Sequence, residues 1–306
     1  MLLAYEFANS HYRYMYRIIQ KRKTFLIISG ILCGLSLVAL ILWGLRFGID
    51  FKGGTMMEVS YPAENQLSIS IIREKLTPFN LGDANIQPTE GSGFLLRFKD
   101  IDETTHQAIL SALGKVEETR YESFGPTIGA ELSRKARWAV ILAIIAILLY
   151  IAWAFRKLVK IGGKGESWRY GLGATFALIH DVLVIVGLFA IMGHFKGVEV
   201  NTTFITAILT VLGYSVNDTI VVYDRIRENL LIYGSGNLEE TINQSLNETI
   251  VRSLNTTLTT LLALFAIYLF GGETIKDFIL AMMVGIATGA WSSIAIASPF
   301  LLFKRK

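Results

Sequence analysis

"GYSVNDTIVVYDRIREN", residues 213–229, begins inside a run of apolar residues and ends in charges, yet Asn217 and Asp218 interrupt it early. The surrounding segment, 203–224, is long enough to cross ~30 Å of hydrocarbon. Asp218 lies seven residues before Arg225, roughly 10 Å along a helix rising 1.5 Å per residue. A carboxylate at that depth costs on the order of 2.5–3.5 kcal/mol, and Asp is too short to reach far toward water. It must therefore face protein or a water-filled path. Burial disfavours the ionised form of a carboxyl and a nearby cation favours it, so a group so placed can exchange a proton. The plainer reading is a packing residue whose hydrogen bonds are met by Asn217 or a neighbouring threonine.

The rest of the chain has the same character. Of its 306 residues, 52% are hydrophobic and only 18% charged, and the mean hydropathy is +0.47. That is too apolar for an ordinary soluble domain. Six segments have the length and hydropathy of membrane spans: 24–45, 136–155, 170–192, 203–224, 252–270 and 277–303. The first is read as an anchor, because it is long, follows a tail of more than twenty residues and lacks a small-residue cleavage pattern. A single cysteine, Cys33, excludes an internal disulfide framework and a multi-cysteine metal site.

Charge orients the spans. Arg13, Arg17, Lys21, Arg22 and Lys23 precede the first span. Arg156, Lys157, Lys160, Lys164 and Arg169 fill the loop after the second. Arg225, Arg227 and the tail Lys304, Arg305 and Lys306 fall on the same side. The opposite short loops hold only Lys196 and Lys276. The positive-inside rule then puts both termini in the cytoplasm. Arg134, Lys135 and Arg137 argue the other way and are outvoted. The net charge of +4 is thereby topological, and it gives no support to nucleic-acid binding. Trp43, Trp138, Trp153 and Trp168 lie near span ends, as an aromatic belt requires; Trp291 does not.

The resulting order is a cytoplasmic tail (1–23), a first span (24–45), an extracytoplasmic segment with its connections (46–135), spans two to six with short loops (136–303), and a basic cytoplasmic tail (304–306). Within 46–135 the pattern reads βαββαβ. "MMEVSY" (56–61) alternates like a strand, and "SISIIREKL" (68–76) has helical spacing with Ser68 as a possible cap. "ANIQPTE" and "FLLRF" flank the turn "GSG" (91–93), "DIDETTHQAILSALG" is a capped helix stopping at Gly114, and "VEETRYESF" closes the unit. This order suggests a ferredoxin-like sandwich.

Two glycine-bearing stretches bracket that unit, "FGIDFKGGT" (47–55) and "FGPTIGAEL" (124–132). Neither has the strand-to-helix context of a phosphate loop, nor does "GGKGES" (162–167). The glycines are read as permitting tight turns where the chain leaves the membrane. Gly171, Gly173, Gly213 and the run "GIATGAWSS" (285–293) supply small residues for close helix contacts.

"GIDFKGGT", "GPTIGAEL", "HD" at 180–181, "GYSVNDTIVVYDRIREN" and "RSLNTTLTT" at 252–260 occur in order along the chain. Together they resemble the SecF branch of the SecD/SecF family of bacterial protein-export membrane proteins, relatives of the RND transporters, over roughly residues 44–303. The resemblance implies a non-enzymatic auxiliary subunit of the Sec translocase in the bacterial cytoplasmic membrane, half of an RND-like core. It implies SecD, SecYEG and translocating preproteins as partners, with a proton gradient driving late translocation, Na+ being the alternative ion. No cofactor or metal is implied.

The resemblance also weights particular residues. Asp218 becomes the proton carrier, with Arg252 as its counter-charge; the plainer reading of Arg252 is a span-end side chain reaching headgroups. Asp181, beside His180, and Asn217 are weaker members of the relay. Adjacent helical residues diverge, so His180 and Asp181 do not chelate one ion. Thr256, Thr257 and Thr260 are candidates for a polar path or helix contact. Asp50, Gly53, Gly54, Gly125, Pro126 and Gly129 are hinge positions of the external domain. Two other functions compete. An intramembrane aspartyl protease would pair two membrane carboxylates, but no GxGD is present. A passive scaffold would need no ionisable centre at all.

Overall fold

The computed structural model describes residues 16–62, 67–82, 84–89, 93–158, 165–234 and 236–303. Residues 91 and 92 of the hairpin turn, 159–164 of the basic loop, 1–15 and the tail 304–306 lie outside the described residues.

A 3-10 turn, Ile19–Lys21, opens into α1 (Arg22–Trp43), which ends at Gly44. One helical turn, α2 (Ile49–Lys52), leads into β1 (Gly54–Ser60), α3 (Ile69–Leu76), β2 (Asn85–Pro88) and β3 (Gly93–Phe98). Then follow α4 (Glu103–Leu113) and β4 (Glu117–Phe124). The remaining helices are α5 (Pro126–Ala154), α6 (Glu166–Lys196), α7 (Thr202–Tyr233), α8 (Leu238–Phe270) and α9 (Glu273–Ser292). A π-helical turn, Ser293–Ala297, and a last short helix, α10 (Ser298–Phe300), complete the chain.

Among the described residues, six helices are long and apolar enough to span a membrane. Three contain their expected segments whole, while the first, second and last, ending at Trp43, Ala154 and Phe300, stop one to three residues short of theirs. Several run further than hydropathy alone suggests. α5 starts at Pro126, a favoured first helical residue, and so carries Arg134, Lys135 and Arg137 on its own first turns. α7 continues to Tyr233, and α8 starts at Leu238 behind an Asn237 cap that accepts from Glu240 N at 3.3 Å. These extensions pair outside the apolar zone through Arg225 and Glu248 at 2.5 Å and Asn229 and Ser245 at 3.0 Å.

α6, α7 and α9 form the centre of the bundle, while α1, α5 and α8 leave most of their surface exposed. Phe189, Phe204, Leu178, Ile185 and Val211 pack at one end; Phe155, Tyr170 and Tyr223 pack at the other. Trp291, the belt's exception, packs inside: its Nε1 donates to Ser29 at 3.0 Å and its ring meets Phe25 edge-on at 5.3 Å.

The insertion between the first two spans is an antiparallel sheet ordered β2-β3-β1-β4. This is the order of a split βαβ unit. Both helices cover one face: Ile72, Leu76, Ile109 and Leu113 bury Met57, Val59, Leu96 and Phe98. Asp102 caps α4 by accepting from Thr105 N at 2.9 Å, and Gly114 stops the helix with φ 94°. Ser68 occupies the cap position of α3, but its hydroxyl bonds Ser70 Oγ at 2.8 Å instead.

The ends of the bundle sort cleanly. Phe47 bridges Val200 beside the inserted domain. At the other end, Ile18 and Ile19 donate to Asn243, Arg22 pairs with Glu239 at 2.9 Å, and Arg169 donates to the Leu301 and Phe303 carbonyls. The described N-terminal residues, the α7–α8 connection and the α10 end thus share one side, opposite the domain.

Candidate functional site

The middle of the bundle contains two buried carboxylates, and serines from neighbouring helices hold both. Asp181 on α6 has no exposed surface. Its Oδ2 accepts from Ser215 Oγ of α7 at 2.6 Å and from Ser292 Oγ of α9 at 2.8 Å. His180 Nδ1 lies 2.9 Å from its Oδ1, while His180 Nε2 is buried with no partner among the described residues. Asp218 on α7, one turn beyond Ser215, is held from two sides. Ser293 Oγ donates to its Oδ2 at 2.6 Å, and Ser253 Oγ of α8 donates to its Oδ1.

Close helix approach makes this possible. A Cβ on Gly289 would sit 2.7 Å from Ser215 Cβ, so only glycine lets α9 approach α7 here. Immediately afterwards the helix widens into its π turn. Pro299 supplies no N–H to the preceding turn, and two side chains add hydrogen bonds to carbonyls of the π turn. Ser298 Oγ donates to the Ser293 carbonyl at 2.8 Å, and Tyr223 Oη to the Ala297 carbonyl at 2.9 Å. Such π turns recur at functional sites because they re-aim side chains. Here the turn begins at the two serines that reach the two carboxylates.

The other expected relay residues fall elsewhere. Arg252 is exposed on α8 and forms no ion pair with Asp218 in this chain; its neighbour Ser253 makes that contact. Consecutive helical positions point about 100° apart, so both cannot face the same residue. Asn217 is likewise exposed, on the outer face of α7. Thr256 Oγ1 donates to the Arg252 and Ser253 carbonyls, and Thr260 Oγ1 meets Tyr214 Oη at 3.0 Å, joining α8 to α7. Thr257 is buried, with its hydroxyl unpartnered among the described residues. Asp224 pairs with Arg227 at 2.7 Å near the helix end. The two carboxylates are bonded to their own serines and not to each other, unlike the directly paired aspartates of an aspartyl protease. The serines themselves were not singled out from sequence; the adjacent pair at 292–293 inside an apolar span was the available signal.

The glycine motifs form the junction between domain and bundle. Gly53 has φ 80°, and a Cβ there would meet Pro126 Cα at 2.9 Å; one on Gly129 would meet Gly53 N at 2.9 Å. The two motifs therefore pack backbone to backbone. Gly54 starts β1, and Gly125 caps α5. Asp50, buried in α2, accepts from Thr202 N at 2.8 Å and Thr202 Oγ1 at 2.5 Å, tying the linker to the start of α7.

Six spanning helices, a buried carboxylate centre and an α+β unit inserted after the first span define an integral membrane protein of transport type. The chain belongs to the SecD/SecF family. Residues 105–306 match the family model "Protein export membrane protein SecD/SecF, C-terminal", and residues 44–61 match the "SecD/SecF GG Motif", which contains the Gly53–Gly54 junction. A relative from Thermobaculum terrenum named "Protein translocase subunit SecF" is 40% identical over 94% of this chain and 93% of its own. "Protein translocase subunit SecDF" of Brucella abortus is 35% identical over 90% of this chain, which spans 35% of it. The crystal structure of SecDF, a translocon-associated membrane protein from Thermus, superposes with a TM-score of 0.81 at 30% identity; the match covers 95% of this chain and 38% of that one. The chain is thus an auxiliary, non-enzymatic translocase subunit of this family.

Proposed function

We propose that the chain works with a separate SecD as the SecF-type half of one membrane unit, beside SecYEG in the bacterial cytoplasmic membrane. There it promotes late translocation and release of preproteins, driven by ion flow through the Asp218 centre. One observation carries this reading: Asp218 and Asp181 are buried in adjoining hydroxyl cages built from four helices and a π turn. A carboxyl with hydroxyl partners retains hydrogen bonds in both its ionised and protonated forms, as a relay needs. Na+ also accepts carboxylate and hydroxyl oxygens, so the driving gradient identifies the ion.

A polar stripe supports the SecD partnership. Thr203, Thr206, Thr210, Gly213 and Asn217 recur along one exposed face of α7, where lipid would leave the Asn217 amide unsatisfied. A SecD span against this face supplies partners; the relative named SecDF, of which this chain spans 35%, has room for such a span in one polypeptide. Arg252, on the neighbouring helix, then faces the same assembly and acts as counter-charge in the complex. The shared end of the basic clusters takes the cytoplasmic side by the positive-inside rule, leaving the inserted domain outside.

The test is reconstitution with SecD and SecYEG, measuring late translocation with and without an imposed proton gradient at matched sodium. Stimulation by the gradient supports the reading. Equal export with and without it leaves a scaffold.

A further inference from the structure

Where the domain meets the bundle there is a cleft of about 220 Å³ that ion coupling does not use. Its walls are the segment after α1, the α6–α7 connection and the uncovered face of the sheet. Arg46, Lys52, Arg97 and Lys99 line it, against one carboxylate, Glu199. Glu199 is shared: Arg97 Nε lies 3.5 Å from it and Arg46 Nε 3.9 Å. Arg97 also donates through Nη1 to Gln87 Oε1 at 2.9 Å, which fixes its guanidinium plane. One acid therefore positions two guanidinium groups without neutralising both.

Nearby acids do not make up the balance. Neither Asp50 nor Asp100 lines the cleft: the Asp50 carboxylate is turned to Thr202, and Asp100 accepts from Ser123 Oγ at 2.6 Å. Lys52 and Lys99 are exposed and form no salt bridge among the described residues. Four cations facing one carboxylate in a concave site give a focused positive potential.

The depth of the cleft follows from its neighbours. Arg46 comes three residues after Trp43, the last residue of α1. Trp43 stacks on His194 at 5.0 Å and meets the exposed Phe195 at 5.4 Å. Aromatic groups at the ends of spans mark the boundary between hydrocarbon and headgroups. The cleft accordingly lies beside the phosphate layer, where lipid phosphates are far more concentrated than any dissolved anion.

We infer that the cleft binds the headgroup phosphate of an anionic phospholipid. Arg97, oriented by Glu199 and Gln87, presents a planar fork to the phosphate oxygens, and Lys52 and Lys99 add point charges. A lipid held there touches the sheet and the span ends together, so it also braces the domain against the bundle. The inference does not rest on ion coupling through Asp218.

The full chain in detergent, titrated with phosphatidylglycerol, phosphatidylcholine or inorganic phosphate and read by native mass spectrometry, tests it. Phosphatidylglycerol is expected to bind at least about tenfold more tightly than phosphatidylcholine, equivalent to ~1.4 kcal/mol. Lys52→Gln/Lys99→Gln should erase that preference. Lys157→Gln, at the opposite end of the bundle, should preserve it. Arg97→Lys should give an intermediate loss and serves as the second variant. Equal binding of the two lipids, or a preference that survives the double substitution, overturns the site. Inorganic phosphate displacing the lipid at comparable concentration overturns lipid as its ligand.

Discussion

Ser292 and Ser293 are neighbours in the chain, yet they serve different carboxylates: Ser292 Oγ lies 2.8 Å from Asp181, and Ser293 Oγ 2.6 Å from Asp218. The π turn that begins here makes the two acidic sites mechanically continuous. A shift of this turn driven at Asp218 must disturb the hydrogen bond to Asp181. Hydrogen bonds to a charged group contribute about 1.5–3 kcal/mol. Ser292→Ala and Ser293→Ala should each slow gradient-driven export several-fold at normal abundance. Their effects should couple by at least ~0.5 kcal/mol in a double-mutant cycle of export rates. Strict additivity would separate the two sites.

The junction makes a different prediction. Asp50→Ala removes the acceptor for both Thr202 N and Thr202 Oγ1 but leaves the Asn201 cap of α7, and loss of a side-chain acceptor at a helix N-terminus costs ~1 kcal/mol. Hydrogen exchange at the first turn of α7 should accelerate roughly fivefold, while the domain core around Leu96 stays protected. Gly53→Ala combines a φ of 80° with a 2.9 Å approach to Pro126, so it should lower the melting temperature as well. Unchanged exchange in Asp50→Ala would show that the linker is held by other contacts.

Within the inserted domain, hydrogen bonds from Thr105 and Thr104 hold the Asp102 carboxyl at about 2, below its usual 3.8. A lowered carboxyl stabilises the folded state fully above its unfolded value and loses that contribution as pH falls from about 3.8 toward about 2. Protection of the first turn of α4 should therefore be flat from neutral pH to about pH 5 and fall below that, in the range where this linkage operates. In Asp102→Asn the cap acceptor remains but does not titrate, and this component of the fall should vanish.

Sidedness can be tested by labelling. A cysteine introduced at Pro62 should react with an impermeant thiol reagent added outside intact cells, and one at Gly236 should not. The opposite pattern would invert the charge argument while leaving the shared end of the basic segments intact.

Much of the architecture was legible because hydrocarbon is an unforgiving solvent. Each of the six apolar runs coincides with a spanning helix to within three residues at its C-terminal end or lies wholly inside one, and the alternation of Met57, Val59 and Leu96 set the inward face of the sheet. Helix ends were less legible. α7 and α8 leave the apolar zone as polar helices held by Arg225–Glu248 and Asn229–Ser245, pairs that span two elements and leave no hydropathy trace. Asp218 stood out because an isolated acid in an apolar run is expensive, whereas its partners Ser253 and Ser293 cost little and so looked ordinary. Arg252 drew the assignment that Ser253 fills within the isolated chain, since which side of α8 faces α7 depends on packing.

The most direct measurement is gradient-driven late export by Asp218→Asn, reconstituted with SecD and SecYEG at wild-type abundance. Asn nearly preserves the shape of Asp: its Oδ1 can accept from one of Ser253 and Ser293 and its Nδ2 can donate to the hydroxyl of the other, but it cannot ionise. The account predicts normal insertion and SecD association, undiminished ATP-driven early translocation, and little or no stimulation by an imposed proton gradient. Full gradient-driven export by this variant would contradict ion coupling at Asp218 and leave the carboxylate with a packing role alone.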